Sequence, residues 1–520
     1  MESQQTPGIY QTEVHTFPNS VAEVATAIPA FIGYTPQAIY QGKSCHMTPM
    51  MVNSMADFLA IFGYPEDPTT QQRPPQYLPS YFLTKRKQNP PKGKSYSLNG
   101  DTYTIDPDPN TIYYLYNSLS LFYQNGGGPA YIVSTGSYGP SSGKPIQPGE
   151  HIVNPNVSLA DLQKGLKTLK KVEEVTMYLF PEATLLNPAE NGTLMKQTLA
   201  QCNAMETSIG IFDIIGGREP DPLSWQDDIQ NFRNATGDDF LKQGVSYFPF
   251  VKTTAVSANE VTYENIHGGD VRVLASVLNP STSPNPKAEI ILKEIKKGKY
   301  SPSQGSAMLA KVSPTYQQIV SIIQEKINVL PPSGVMAGVY SMVDANEGVW
   351  KAPANVSPMG VSGLTLEING NDQQSLNIDA ASGKSINALR TFPGQGVLVW
   401  GARTLDGNAQ DWQYLNVVRT IMMIKQSAKL ALRNYAFFPN TADTWKAAKS
   451  MLEDFLTRIW RQGGLAGVKP AHAFNVKVGL GSTMTQQDID EGRLRVTLFV
   501  AVMHPAEFIE VNLEQKVAQQ

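Results

Sequence analysis

Alternation of apolar and polar residues is first regular at residues 8–16. Tyr10, Thr12 and Val14 alternate there with Gln11, Glu13 and His15, directly after Pro7-Gly8. A period of two following a turn predicts an extended strand. The run AIPAFIGY within residues 21–34 predicts a first buried strand, and MADFLAIF at 55–62 a short helix. Residues 65–110, rich in Pro, Gln, Lys and Asp, and 136–156, rich in Gly, Ser and Pro, read as surface loops or insertions containing short strands. Between them, 115–123 predicts a helix and 130–134 a strand. From residue 159 helices near 159–169, 192–206 and 225–234 alternate with strands at 175–180, 209–214 and 245–250. Strands that are apolar throughout, separated by amphipathic helices, imply a mainly parallel α/β sheet covered on both faces.

Residues 253–330, with the stretch NPSTSPNPK and a basic run at 293–299, predict an insertion, and 362–385 a polar hairpin-like excursion ahead of a strand at 396–400. The last part is the most regular. It predicts a helix at 411–434, a short strand at 436–439, and a helix at 441–462 closed by Gly463-Gly464. Trp445, Ala448, Leu452, Phe455, Leu456 and Ile459 share one face of the second helix, with Lys446, Lys449, Glu453 and Arg461 largely elsewhere. Leu494, Val496, Leu498, Val500 and Val502 alternate with Arg493, Arg495 and Thr497, as a half-buried strand does. Ile509, Val511 and Leu513 alternate with Glu510 and Asn512 in a final one.

At 520 residues the chain exceeds the size at which one hydrophobic core stops growing, so two or more globular parts are expected. Its 42 Lys and Arg nearly balance 45 Asp and Glu, which excludes a large one-signed field of the kind that steers nucleic acid. Cys45 and Cys202 stand far apart, without a metal-ligand spacing, and imply neither a disulfide framework nor structural zinc. No charged leader with an apolar stretch opens the chain, and no run of about 18 apolar residues occurs. The expectation is folding in a reducing cytoplasm, export by a non-secretory route if any, and no membrane insertion.

The candidate chemistry is thin. Gly-Lys-Ser occurs at 42, 93 and 383, always without the glycine five residues earlier that a phosphate-cradling loop requires. Gly139-Pro-Ser-Ser-Gly143 fits the spacing of a nucleophile elbow but reads as a surface turn. Asp213, His267 and Ser482 follow the chain order of subtilisin-type hydrolases, though His267 lies in the insertion and Ser482 in a polar loop. The six histidines lack paired-ligand spacing, so no metal or cofactor is expected. Two features read as interaction sites. Lys425, Lys429 and Arg433 recur every four residues along one helix, a solvated face or a dock for an acidic partner. Terminal strands at both chain ends can extend a neighbour's sheet.

Long stretches at residues 331–355 (PPSGVMAGVYSMVDANEGVWKAPAN), 386–405 (INALRTFPGQGVLVWGARTL), 455–478 and 483–511, together with TPGIYQTEV and AIPAFIGYTP near the start, resemble the contractile tail sheath proteins of phages and phage-tail-like injection systems. The resemblance covers roughly half the chain. It implies a subtilisin-like α/β domain without protease activity at 21–365, an inner α+β domain at 366–505, and linking arms at 1–20 and 506–520. It further implies a structural, non-enzymatic subunit that polymerises with itself as stacked hexameric rings around an inner tube protein, between baseplate and terminal cap proteins, and contracts to drive the tube through a target membrane. Such particles are either membrane-anchored or released. The arms would pair with neighbouring subunits through Ile9, Tyr10, Thr12, Val14, Phe508, Ile509, Val511 and Leu513. Lys446, Lys449, Glu453, Arg458 and Arg461 would meet the tube. The competing expectations are a hydrolase of subtilisin-like fold and another tail or baseplate assembly protein.

Overall fold

The computed structural model describes residues 20–507 except 70, 72, 91, 282 and 380. These form two compact units, one of residues 25–419 with 505–507, the other of 20–24 with 420–504.

The larger unit is built on an eight-stranded sheet. In chain order its strands are β1 (Pro29–Thr35), β2 (Met50–Val52), β3 (Ala130–Ser137), β4 (Met177–Leu179), β5 (Ile209–Asp213), β6 (Gly244–Phe248), β7 (Asn387–Phe392) and β8 (Gly396–Trp400), arranged β8-β7-β6-β5-β4-β1-β3-β2. The six inner strands run parallel, and both edge strands antiparallel to their neighbours. Every residue of β1, β4, β5 and β6 is buried, which is why these strands read as continuous apolar runs.

The helices that matter here are α1 (Leu115–Gln124), α2 (Leu159–Thr168), α3 (Pro188–Met205), α4 (Trp225–Thr236) and α5 (Ser333–Glu347). On β1, Phe31 meets Phe122 of α1 edge-on at 5.6 Å, whereas Ile32 faces Gly165 of α2. On β6, Tyr247 bonds Tyr340 of α5 at 2.6 Å, whereas Phe248 stacks on Trp225 of α4 at 5.6 Å. Successive strand side chains point to opposite faces, so α1 with α5 and α2 with α4 cover the two sides. Gly334 and Gly338 let α5 press onto α1: a Cβ at either position would lie 2.6 Å from a backbone oxygen, that of Ser118 or Phe122.

The segments 81–107 and 256–327 fold together around a core of their own, including Tyr81, Leu83, Ile105, Leu274, Ile291, Leu309, Tyr316 and Ile323. The strands Tyr81–Arg86, Asp101–Pro107 and Ser95–Leu98 form a three-stranded antiparallel sheet with Asp101–Pro107 in the centre. The helices Val271–Leu278, Pro286–Lys296, Pro302–Val312 and Pro314–Ile327 follow. Asp270, Asn285, Ser301 and Ser313 cap them with side-chain oxygens, and Pro at the first helical position starts the last three. Residues 362–385 are not a hairpin. The strand Val361–Leu364 pairs with Val251–Thr253, and the helix Gly370–Asn377 starts where the Asn369 side chain accepts from the N–H groups of Asn371 and Asp372.

The smaller unit holds most of α6 (Leu415–Arg433), with α7 (Ala442–Arg461), the short helix Pro470–Ala473, and the strands β9 (Phe474–Val478) and β10 (Val496–Val500). α7 buries Ala448, Met451, Leu452, Phe455, Leu456 and Ile459, close to the apolar face its periodicity predicts. The strand expected at 436–439 is a turn instead. Successive bonds from Ala436 N–H to the Arg433 carbonyl and from Phe438 N–H to the Tyr435 carbonyl wind the backbone tightly. Phe437 sits at φ +70° with its ring fully exposed.

Candidate functional site

β9 and β10 pair antiparallel over five residues, from Phe474–Val500 to Val478–Val496, and among the described residues β10 has no second strand neighbour. Val496, Leu498 and Val500 are half-buried, while Thr497 and Phe499 are exposed. The free side of β10 lines a groove of about 880 Å³. Ile421, Ile424, Ala428 and Leu432 of α6 form the other wall, the 435–440 turn adds to the lining, and Lys425, Lys429 and Arg495 complete it. An apolar trough beside a sheet edge that has no strand partner among the described residues is shaped to receive one extended segment.

On α7, Lys446, Lys449 and Glu453 lie on one side, and Lys449 and Glu453 approach to 3.7 Å across one turn. Arg461 is exposed near the far end of the helix. Arg458 departs from this stripe, being about 120° round the helix from Lys446 at 100° per residue. Its Nη2 donates to the Val21 carbonyl at 2.6 Å, and its guanidinium lies 5.8 Å from the Phe455 ring centre.

Ile9, Tyr10, Thr12, Val14, Phe508, Ile509, Val511 and Leu513 lie outside the described residues, but the segments that lead to them are held. At the N-terminal side, Val21 is gripped by Arg458, and Val24 N–H donates to Ser427 Oγ at 3.1 Å. At the C-terminal side, the Glu507 carboxylate accepts from Arg403 Nε at 2.9 and 3.1 Å, from Arg403 Nη2, and from the Tyr414 hydroxyl at 3.4 Å. Asn387 of β7 brackets Arg403, accepting from its N–H and donating to its carbonyl, both at 2.8 Å. Nothing in the sequence marks Arg403 or Glu507, because the pair is 104 residues apart and has no local pattern.

The hydrolase candidates have other occupations. Asp213 is buried at the end of β5 and accepts from Ser333 N–H and Oγ–H, at 2.9 and 2.6 Å. Burial pushes its carboxyl up to about 7, the two Ser333 bonds opposing. His267 Nε2 accepts from Leu83 N–H at 2.9 Å, which fixes a neutral ring, and burial lowers its pKa. Ser482 belongs to the turn that closes on Gly479 in the smaller unit. Ser141 and Ser142 of the elbow-like motif both donate to the buried Asp108, tying down a loop. Lys384 of the third Gly-Lys-Ser is buried, its Nζ donating to the Arg233 carbonyl at 2.6 Å. A second buried carboxylate, Glu182, follows β4 and accepts from Tyr114 and Leu115 N–H at the start of α1, at 3.1 and 2.8 Å. Burial raises it to about 7. Among the described residues no group of three or more His, Cys, Asp or Glu is placed to hold a metal ion, and no helix is long and apolar enough to cross a membrane.

Residues 408–516, which contain the groove and α7, match the family model of the phage tail sheath C-terminal domain. That region is similar in sequence to tail sheath proteins. The tail sheath protein of Vibrio phage KVP40 is 27% identical over 137 residues, 26% of this chain and 20% of that protein. A putative prophage major tail sheath protein of Pseudomonas aeruginosa (strain UCBPP-PA14) is 25% identical over 170 residues, 32% of this chain and 42% of its own length. The matched region thus spans less than half of either sheath relative. Over the whole chain the fold is similar to that of the anti-feeding prophage helical sheath in its contracted state, with 24% identity, a TM-score of 0.58, and coverage of 99% of this chain and 100% of the other.

Proposed function

We propose that this chain is the sheath subunit of a contractile, phage-tail-like injection machine, a structural protein whose work is mechanical. The observation that carries this reading is the two-stranded sheet β9-β10, whose β10 edge has no second strand among the described residues and borders an apolar groove, in a chain whose two ends both carry strand-patterned segments. Each subunit offers a slot and two strands, so copies link by exchanging strands in an open-ended lattice. Main-chain pairing of this type is strong and directional, yet lets the joined bodies rotate about the shared sheet.

In this reading the subunits stack as six-membered rings around an inner tube, between a baseplate and a terminal cap. The extended lattice is metastable, and its shortening drives the tube forward without nucleotide. The exposed Lys446 and Arg461, with the half-buried Lys449 and Glu453, form the tube-facing stripe. Arg458, drawn to Val21, serves the arm root instead. Weak charged contacts suit a trap of this kind because they break together.

Negative-stain microscopy of the chain expressed alone, and of a variant lacking residues 1–16, tests the proposal. Long hollow cylinders from the full chain, absent from a truncated chain that stays folded, are expected. Closed single rings or monomers from the full chain would instead favour a baseplate-type assembly protein.

A further inference from the structure

The larger unit carries two surfaces that complement each other and involve neither chain end. We infer that Ile290 of one copy seats in a cleft beside α4 of a second copy, with lysines around the isoleucine meeting aspartates around the cleft. This rests on the self-assembly proposed above and adds to it a contact made by the insertion.

The projecting partner is the helix Pro286–Lys296 of the insertion. It turns Ala288, Ile291, Leu292 and Ile295 into the core, yet Ile290 is 58% exposed. At 3.6 residues per turn, Lys287 and Lys293 stand about 60° to either side of Ile290, and Lys297, just past the helix end, about 20° from it. All three lysines are exposed. The two glutamates of this helix are matched by other lysines, Glu289 by Lys293 at 2.7 Å and Glu294 by Lys299 at 2.8 Å. Lys287 and Lys297 therefore leave the surface around Ile290 positive.

The receiving partner is a cleft of about 360 Å³ between α4 and residues 375–379. Trp225, Ile229 and Ile378 supply its apolar lining, and Gln226 and Gln230 its α4 side. Ile378 is 52% exposed. Arg233 also lines the cleft, but its charge is spent inward. Its guanidinium donates to the carbonyls of Lys384, Ser375 and Leu376 at 3.2, 2.7 and 3.1 Å and lies 3.8 Å from Asp379. Lys384 is buried as well. The acids of this region point the other way, with Asp221, Asp227, Asp238 and Asp239 all exposed on or beside α4. Cations face inward and anions outward, so the rim carries negative charge.

Each surface alone leaves apolar area in water, and joining them removes it. Opposite signs around the isoleucine and the cleft set the orientation, and pairing like with like would bring lysine against lysine. Because the two surfaces are different parts of one chain, every copy gives its isoleucine to one neighbour and its cleft to another. A contact of this head-to-tail kind propagates as a ring or an open helix, the geometry a sheath needs.

The test is cross-linking of the full-length chain with a short bismaleimide. Cys45 and Cys202 are both buried, so the reagent reads cysteines introduced at the exposed positions, by Lys287→Cys beside the isoleucine and Gln230→Cys in the cleft. A chain carrying both is expected to give a ladder of covalent multimers. Two chains carrying one each are expected to give dimers when mixed and none apart. Ile290→Asp is expected to cut the yield at least fivefold, as is the pair Lys293→Glu and Lys297→Glu, and Asp227→Lys to recover most of what the pair loses. Circular dichroism checks that each variant keeps its fold. Absence of the ladder, dimers from the Lys287→Cys chain alone, or a yield indifferent to Ile290→Asp and to the charge reversals would overturn the inference. Cylinders on the microscope grid report on self-assembly separately. Cylinders without a ladder remove this contact and leave the sheath reading standing, and a ladder without cylinders does the reverse.

Discussion

The carboxylate of Asp213 accepts from both the backbone N–H and the hydroxyl of Ser333, so the last residue of β5 caps the first turn of α5. Burial raises the carboxyl to about 7. A carboxylate whose folded pKa exceeds its unfolded value near 4 costs stability as pH climbs from about 4 to 7, and the full cost remains above that. Asp213→Asn keeps an oxygen for the Ser333 N–H and removes the charge. It is expected to stabilise the larger unit at pH 8 by on the order of 2 kcal/mol and to leave it little changed near pH 4. Urea melts at the two pH values measure this, and equal displacement at both would show that the charge is not the cause.

His267 carries the opposite sign. Its Nε2 holds Leu83 N–H only while the ring is neutral, and its folded pKa lies below the ordinary 6.5. The contact is present above that value and is lost as pH falls through the folded pKa, the nearby Asp270 carboxylate easing protonation. Hydrogen exchange of the Leu83 amide, corrected for intrinsic rate, is expected to stay constant down to pH 6.5 and to accelerate at some pH below it. In His267→Gln the pH dependence disappears.

Gly338 leaves no room for a side chain. The missing Cβ would stand 2.6 Å from both the Phe122 carbonyl and Asn125 Cβ. Gly338→Ala is expected to cost about 1–3 kcal/mol through backbone displacement, and Gly338→Val more. Thermal melts of purified variants check the order.

Arg419 and Asp344 form a buried pair with bonds of 3.0 and 2.6 Å, and Arg419 also donates to the Thr26 carbonyl at 3.0 Å. Removing one partner strands the other charge, so Arg419→Met or Asp344→Asn is expected to cost about 3–5 kcal/mol. The double variant should cost clearly less than the sum of the two. Additive losses in a double-mutant cycle would mean that the two residues act separately.

The central sheet was legible because its strands are buried on both sides and its helices are not. The strands at 175–180, 209–214 and 245–250, and the helices at 159–169 and 225–234, stand within a few residues of their expected places. α5 left no period to read, since Ser333 to Ser341 are buried on every side. Three of the four helices of the insertion were signalled by Asn285-Pro286, Ser301-Pro302 and Ser313-Pro314, each a cap followed by a helix-starting proline, but proline and serine also mark loops. In the candidate site, the alternation of β10 and the four-residue spacing of Lys425 and Lys429 were visible as separate facts. That they line one groove is a tertiary result, as is the capture of Arg458 by Val21.

The grip of Arg403 on Glu507 has a mechanical consequence. Tension applied to the chain beyond residue 507 meets a bidentate ion pair before it meets residues 496–500, and Asn387 passes that tension into β7, an inner strand of the central sheet. A tug on the tail is therefore taken first by a strand with a neighbour on either side and spares the two-stranded sheet β9-β10.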